Sequence, residues 1–539
     1  MAEIVGLALA IPGLVQPILS LIGEISALVG NSKRFASDAG VLRIRLKDEE
    51  QRMKACISFL FGQTPAIDGG IFKTLPPTTQ SHTLSMIIQL FTRLKEYTSL
   101  EAKYNLTTLD SATGFDLDTF LRGTSLVPED PQVQGLQSNS GWLRKLQWST
   151  SGKRRLEGLI EDLGGWNDRI RRVIEDVIWM SLLTASQVHS VAENPDTKTL
   201  GLGPSAKMRK LILSGDAATD LFIPYHKVKN QVTGPGGGSG SQRMAEIDNS
   251  PVLLEYKDYE PDNNGNIPDI TIRQVRQLTT LLYSQEDAGF RVLPCRGYIN
   301  DRAGSRLGFV YDVPSGALPK PLTLESALNL STSRSKKPSV TTRLKLAYNL
   351  AESLYLLHTV GWVHKNLNSE NIVFFTPENS SAGSSGSIYE APWIVGFEYS
   401  RQESDFSSNR MEDRIEKNIY RHWERWGKPT ARSAKIHDIY ALGVIFLEIG
   451  LWASAKTLSR DGFQSHSSDR EYVRDALRKS AQGKLGFAMG ERYENLVLLC
   501  LEGREERFGV QNDDKLDTQL QKEFRERIIE VLKLASECV

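Results

Sequence analysis

Residues 362–374 read WVHKNLNSENIVF. Apolar residues flank a polar turn that carries His364 and three carboxamides, Asn366, Asn368 and Asn371. A carboxamide donates and accepts hydrogen bonds but cannot take up a hydroxyl proton as a carboxylate can. Upstream, Leu344, Leu346, Ala347, Leu350, Leu354 and Leu357 recur mostly three or four apart, the spacing of a buried helix over 340–357. Downstream come a polar Ser/Gly-rich insert (378–387), then Ile394-Val-Gly-Phe-Glu398, then Asn418-Ile-Tyr-Arg-His-Trp-Glu424. Lys435-Ile-His-Asp-Ile-Tyr-Ala-Leu-Gly443 follows and continues into Val444 to Leu451, an almost unbroken apolar run.

In this order the pieces resemble the C-terminal lobe of a protein kinase with its chemistry removed. A working catalytic loop reads H-R-D-L-x-x-x-N. His364, Leu367 and Asn371 stand at the matching positions, but Asn366 replaces the proton-accepting Asp and Asn368 replaces the usual Lys. Where D-F-G is expected, Gly396 replaces the Asp that holds Mg²⁺, and Glu398 replaces the Gly. Residues 418–424 resemble the A-P-E end of an activation segment, with Trp423 in place of Pro, and Asp438 to Gly443 resemble the start of the central helix. The resemblance implies His364, Glu424, Asp438 and Gly443 as structural residues of the lobe. It implies no catalytic residue, since the catalytic positions are the degenerate Asn366, Asn368 and Gly396. Loss of both carboxylates is hard to reconcile with phosphoryl transfer.

The preceding region resembles a reduced N-terminal lobe. Val252-Leu-Leu-Glu-Tyr-Lys257 looks like the strand that carries the ATP-contacting Lys. Lys257 and Asn371 are therefore the candidates for any residual nucleotide binding, although a Lys near a strand end is commonly a solvated surface residue. The helix expected over 270–283 carries Arg273, Gln274, Arg276 and Gln277 but no Glu, so the usual Lys–Glu ion pair has no obvious partner. Gly308 to Pro314 resembles the strand and hinge that join the lobes. The Gly cluster at 234–240 lacks the G-x-G-x-x-G-x-V pattern, and Gly/Ser density with a Pro reads as a flexible linker. Too few residues separate it from Lys257 for two ordinary strands and a Gly-rich turn, so the nucleotide lid is expected to be absent.

A chain of 539 residues, 40% hydrophobic and 24% charged, exceeds one core and has the composition of a soluble globular protein. Lys plus Arg equals Asp plus Glu at 65 each, so no global charge steers it to nucleic acid, and none is expected as a partner. Cys56, Cys295, Cys500 and Cys538 show no C-x-x-C spacing, which suits reduced cytosolic thiols and argues against a disulfide scaffold or zinc. The Ser and Thr residues of 379–387 and 404–408 read as polar loops.

From Ile4 to Ile22 nineteen residues pass without a charge, about the ~18–20 needed to span a bilayer. No basic residue precedes them, as a secretory leader would require, and Pro12 and Pro17 interrupt a helix. Three readings stay open: a buried hairpin at the centre of a bundle, a permanent anchor, and conditional insertion. The insertion candidates are Ile4, Leu7, Leu9, Ile11, Leu14, Ile18, Leu19 and Ile22, with Glu24 placed to oppose deeper entry. Three helical stripes follow: Phe35, Leu42, Leu46, Met53, Ile57 and Leu60; Leu84, Ile87, Ile88, Phe91, Leu94 and Tyr97; and Leu156, Leu159, Leu163, Trp166, Ile170, Val173 and Val177. Each helix must bury its one apolar face, so an all-α bundle is expected, with loops at 62–82 and 105–140 and an end near 187–189.

Glu3 to Ile11, the 35–62 segment with Leu42-Arg-Ile-Arg-Leu46, and Leu159 to Leu163 with Trp166-Asn-Asp168 resemble the HeLo and HeLo-like domains of filamentous fungi, the prion-inhibition and propagation family. Residues 419–425 with 438–450 resemble the kinase-like domain that accompanies them. The chain is therefore expected to be multidomain. A HeLo-like helical bundle (1–215) is followed by a Gly/Ser-rich linker (216–245) and an α+β protein-kinase-like pseudokinase domain with a reduced N-lobe (246–539). HeLo domains resemble the executioner domain of the necroptotic pseudokinase, and the resemblance implies a fungal signalling, heterokaryon-incompatibility or cell-death effector. It implies protein partners through the kinase-like domain, membrane lipids through the N-terminus and a homo-oligomer on activation. It also implies no cofactor, and a cytoplasmic protein that meets membranes conditionally. No prion-forming tail is evident, and the charged helical pattern of 519–534 leaves the kinase-like domain as the input. Two alternatives are a soluble adaptor that only binds proteins, and an unusual Ser/Thr protein kinase that binds ATP.

Overall fold

The computed structural model describes, in the N-terminal part, residues 37–61, 71–75, 77–99, 150–179, 185–203, 206–207 and 209–210. From residue 220 it describes the chain apart from 234–241, 263, 284–289, 331–336, 379–387, 403–413, 428–432, 503–507, 511–516 and 539. The chain divides into two compact units, Met1–Ala206 and Lys207–Val539. The insertion candidates Ile4 to Ile22 lie outside the described residues, and so do Phe35 and the loop expected over 105–140.

The N-terminal unit is helical: α1 (Ser37–Phe61), α2 (Pro77–Ser99), α3 (Thr150–Trp179), α4 (Ala185–Glu193) and α5 (Pro195–Thr199). Both α1 and α2 pack against α3. The stripe on α1 is buried at Leu42, Leu46, Met53, Ile57 and Leu60, as are Leu159, Leu163, Ile170 and Val173 of α3 and Leu84 and Ile87 of α2. Trp166 is only half-buried, under the Arg169 guanidinium. Its neighbour Asn167 is fully buried instead, and its Nδ2 donates to the Glu49 carbonyl at 2.9 Å and to Glu49 Oε2 at 2.7 Å. The loop expected over 62–82 ends early, because α2 starts at Pro77, where a proline forfeits no intrahelical bond. The unit also continues past 187–189, since Asn194 ends α4 and caps α5 by accepting the Asp196 N–H. Among the described residues no helix is long and apolar enough to cross a membrane.

The C-terminal unit is α+β. Strands β1 (Val228–Thr233), β2 (Gln242–Ile247), β3 (Ser250–Asp258), β4 (Cys295–Asp301) and β5 (Arg306–Asp312) form an antiparallel sheet in the order β1-β2-β3-β5-β4. This corrects the expected linker over 216–245, which contains β1 and the start of β2, and the unit begins at Lys207. Between the Gly cluster and the strand of Lys257 there is room for β2 alone; β1 lies before the cluster and pairs with β2 across it, with Val228 opposite Ile247 and Thr233 opposite Arg243. Val228-Lys-Asn-Gln-Val-Thr233 has little local strand character, and the ladder to β2 supplies what propensity does not. One face of the sheet forms a core of Ala245, Ile247, Val252, Leu254, Tyr256, Ile299 and Val310. Alternation then turns Leu253, Glu255 and Lys257 to the opposite face. Helix α6 (Asp269–Tyr283) lies against β4.

The rest of the unit is mainly helical. It comprises α7 (Leu324–Leu330), α8 (Val340–Thr359), α9 (Ile415–Asn418), α10 (Lys435–Leu451), α11 (Arg470–Met489), α12 (Glu491–Glu502), α13 (Thr518–Phe524) and α14 (Glu530–Cys538). The short strands β6 (Leu322–Thr323), β8 (Ile372–Phe374) and β9 (Trp393–Ile394) form a small sheet, and β7 (Trp362–Val363) pairs with β10 (Arg401–Gln402). The apolar run of α10 is buried on nearly every residue and is surrounded by α8, α11 and α12, the only stable place for a helix without a polar face. Gly443 lets α12 approach, since a Cβ there would lie 2.6 Å from Cys500 Cβ.

Gly443→Ala should therefore destabilise the C-terminal unit by about 1–3 kcal/mol through overpacking. Urea unfolding monitored by tryptophan fluorescence measures this, and an unchanged midpoint would show that α10 and α12 are looser than described.

Candidate functional site

The 362–374 segment enters on β7, turns through 364–371 and leaves on β8. Its turn is bolted to α10 by Asp438, which is fully enclosed and accepts the His364 N–H at 2.7 Å, the Lys365 N–H at 2.8 Å and His358 Nε2 at 3.1 Å. Burial alone would push this carboxyl up, but the His358 hydrogen bond, the two imidazoles and the backbone donors outweigh it and hold Asp438 below its ordinary range. Lys365 takes a left-handed backbone conformation (φ 68°), which aims its N–H at Asp438. His364 Nδ1 accepts the Asn366 N–H at 3.3 Å, which places the ring proton on Nε2, 3.1 Å from the Val395 carbonyl. Burial lowers the His364 pKa, so the ring is neutral.

The three carboxamides are all engaged in structure. Asn368 caps the short 369–371 turn by accepting the Glu370 N–H at 2.9 Å and the Asn371 N–H at 3.2 Å. Asn366 donates to Glu398 Oε1 at 2.9 Å. Asn371 donates to the Asn366 carbonyl at 2.8 Å and accepts from Gln242 Nε2 of β2 at 3.0 Å, so it links the turn to the sheet. Gly396 has φ 90°, and a Cβ there would collide with Asn371 Nδ2.

Opposite this turn stands Glu255, on the strand face that also carries Lys257. Its carboxyl is fully buried and accepts the Gly396 N–H through Oε2 and the Glu398 N–H through Oε1, both at 2.8 Å. Burial first, and the adjacent Glu398 carboxyl second, push Glu255 well above the ordinary carboxylate range. Lys257 is half-buried, its pKa lowered by burial while Glu398 acts the other way. Sequence reasoning brought His364, Asn366, Asn368, Asn371, Gly396 and Asp438 to one place and set Lys257 across from them. It missed Glu255 and Gln242. The signal for Glu255 was a charge inside the apolar strand Val252-Leu-Leu-Glu-Tyr, two residues from Lys257 and hence on the same face. Gln242 had no signal, standing in what read as linker.

The Glu424 side chain is 48% exposed. Its Oε2 lies 3.2 Å from His437 Nε2 and 3.6 Å from His422 Nδ1, a grouping with the spacing of metal ligands. The hydrogen bonds do not fit a bound cation. His437 Nδ1 accepts the Ala434 N–H at 3.0 Å, which leaves the proton of the neutral ring on Nε2, the nitrogen a metal would need. Gly443 and Asp438 both sit on α10 as described.

A family model described as Domain of unknown function (DUF7580) matches residues 283–537, from the end of α6 to α14. A comparison with curated proteins finds no match. The matched span holds Asp438, the carboxamides, Gly396 and Glu398, and leaves Gln242, Glu255 and Lys257 outside it.

Gly396→Asp, which places a carboxylate beside Asn371, should fail to create a Mg²⁺ site. It should cost about 1–3 kcal/mol of stability, because a side chain there is strained and displaces Asn371. Calorimetric Mg²⁺ titration and thermal unfolding test this together, and a stable variant that binds Mg²⁺ would contradict the described packing.

Proposed function

We propose that the C-terminal unit is a kinase-like domain that transfers no phosphoryl group and instead controls the helical N-terminal unit, a HeLo-like effector of signalling, nonself recognition or cell death. The observation that carries this is the Glu255 carboxyl seated on the amides of Gly396 and Glu398, with Gln242 joined to Asn371 beside it. In the kinase-like reading that space belongs to the nucleotide phosphates and their metal. In that reading the Glu255 and Glu398 carboxyls stand where phosphate oxygens would, and Asn371 alone offers one neutral oxygen to a hard divalent ion, which then stays mostly with water. Lys257 is the remaining feature of a nucleotide site.

One further observation favours a second reading, an adaptor whose units only bind proteins. A cavity of about 120 Å³ beside the 364–368 turn is bordered by Lys365, Lys417, Arg421 and Arg425, and Asp438 is the one carboxylate among its lining residues. Such a surface suits an acidic protein segment. The two readings agree that the C-terminal unit transfers no phosphoryl group and part at the N-terminus, where only the effector requires Ile4 to Ile22 to exchange protein burial for lipid.

Thermal-shift titration with Mg-ATP should show little stabilisation. A clear shift at micromolar nucleotide that disappears in Lys257→Ala would revive the active-kinase alternative. For the effector, the full chain after activation should permeabilise liposomes and Leu9→Lys should not, since a Lys at mid-bilayer costs roughly 2.5–3.5 kcal/mol. The variant must keep the wild-type helical circular dichroism. Equal leakage from a folded Leu9→Lys protein would move the adaptor to first place.

A further inference from the structure

Glu255 and Glu398 are both buried, and their carboxyls lie within hydrogen-bonding reach of each other. Glu398 Oε1 is taken by Asn366, while Oε2 is enclosed with no donor from any other described group. Two carboxylates in contact away from water repel one another, and a carboxyl–carboxyl hydrogen bond exists only while the pair keeps one proton. With that proton, Lys257 balances the remaining charge and the cluster is neutral, as burial demands. The partners belong to different parts of the unit: Glu255 to β3 of the five-stranded sheet, Glu398 to the turn that follows β9.

We infer that the Glu255–Glu398 pair is a proton-dependent latch between the sheet and the 395–399 turn, closed while one proton is shared and released when it is lost. The inference stands on these hydrogen bonds and does not need the kinase-like reading. In an open state the Glu255 carboxyl meets water and ionises near the ordinary value of about 4. Closure at neutral pH therefore takes up a proton. The closed state is favoured at low pH and weakens as pH rises through the raised range of Glu255.

The groups that face the pair are Lys257 on β3, Tyr311 on β5, Cys295 on β4, and His364 and Asp438 behind Glu398. Burial pushes Tyr311 well up and Cys295 to about 12, keeps His364 neutral, and leaves Asp438 ionised through its hydrogen bonds. None of these four changes charge between about pH 7 and about pH 9. Glu448, enclosed on α10 and pushed up to about 7 by burial, does titrate nearby and weakens the fold as a whole when it loses its proton. The latch must therefore be read locally.

The amides of Gly396 and Glu398 report the latch, because their hydrogen bonds end on Glu255. The amides of His364 and Lys365 report the fold, because theirs end on Asp438. Hydrogen exchange of the full chain, corrected for intrinsic rates, should show protection at 396–398 falling as pH rises, by up to about tenfold per pH unit. Protection at 364–365 should fall less. In Glu398→Gln the carboxamide donates to the Glu255 carboxylate and the repelling charge is gone, so protection at 396–398 should persist to higher pH with a weaker pH dependence, the burial of Glu255 alone remaining. Wild-type protection at 396–398 that stays level, or tracks 364–365 at every pH, overturns the latch without reference to any variant. So does a folded Glu398→Gln protein with the wild-type pH profile.

Discussion

A carboxylate sealed from water organises the C-terminal unit. Asp438 could not remain ionised in the apolar surroundings of α10 without the two backbone N–H groups and the imidazole that surround it. Those same bonds force the turn at His364 and Lys365, including the left-handed conformation of Lys365, and set the direction in which the following residues leave. Remove the carboxylate, and the polar turn has no reason to lie against the most apolar helix of the chain.

From that anchor the carboxamides find their places. Asn368 shapes the short turn, Asn366 reaches Glu398, and Asn371 reaches across to Gln242. Positions that look like lost chemistry are occupied by side chains that satisfy one another. Gly396 belongs to this arrangement, since its N–H serves Glu255 and its missing side chain leaves room for Asn371. The site is thus a set of mutually satisfied polar groups, and Glu255 binds the sheet to it from the other side.

The helical N-terminal unit uses the same device on a smaller scale. Apolar stripes bring α1 and α3 together, but hydrophobic contact alone tolerates sliding. Asn167 on Glu49, with Arg52 paired to both Glu49 and Asp168, selects one register for the two helices. The Trp166-Asn-Asp168 sequence was legible as a feature of the stripe, though the residue that enters the interior is the asparagine.

Spacing along the chain determined the helices, the apolar run of α10 and the polar turn of 364–371, because these depend on neighbours within a few residues. The helical character of the N-terminal unit followed from the same local periods, whereas the mixed character of the other was expected from the resemblance of its motifs. Strand β1 was not legible, since its pairing with β2 and not its composition makes it a strand. Nor was the partner of Glu255. A charge in an apolar strand announces that something must satisfy it, but the amide it reaches lies 141 residues away, and only the folded chain brings the two within 2.8 Å. Burial and hydrogen-bond satisfaction are properties of the assembled interior, so the tertiary structure alone decided which polar residues became the site.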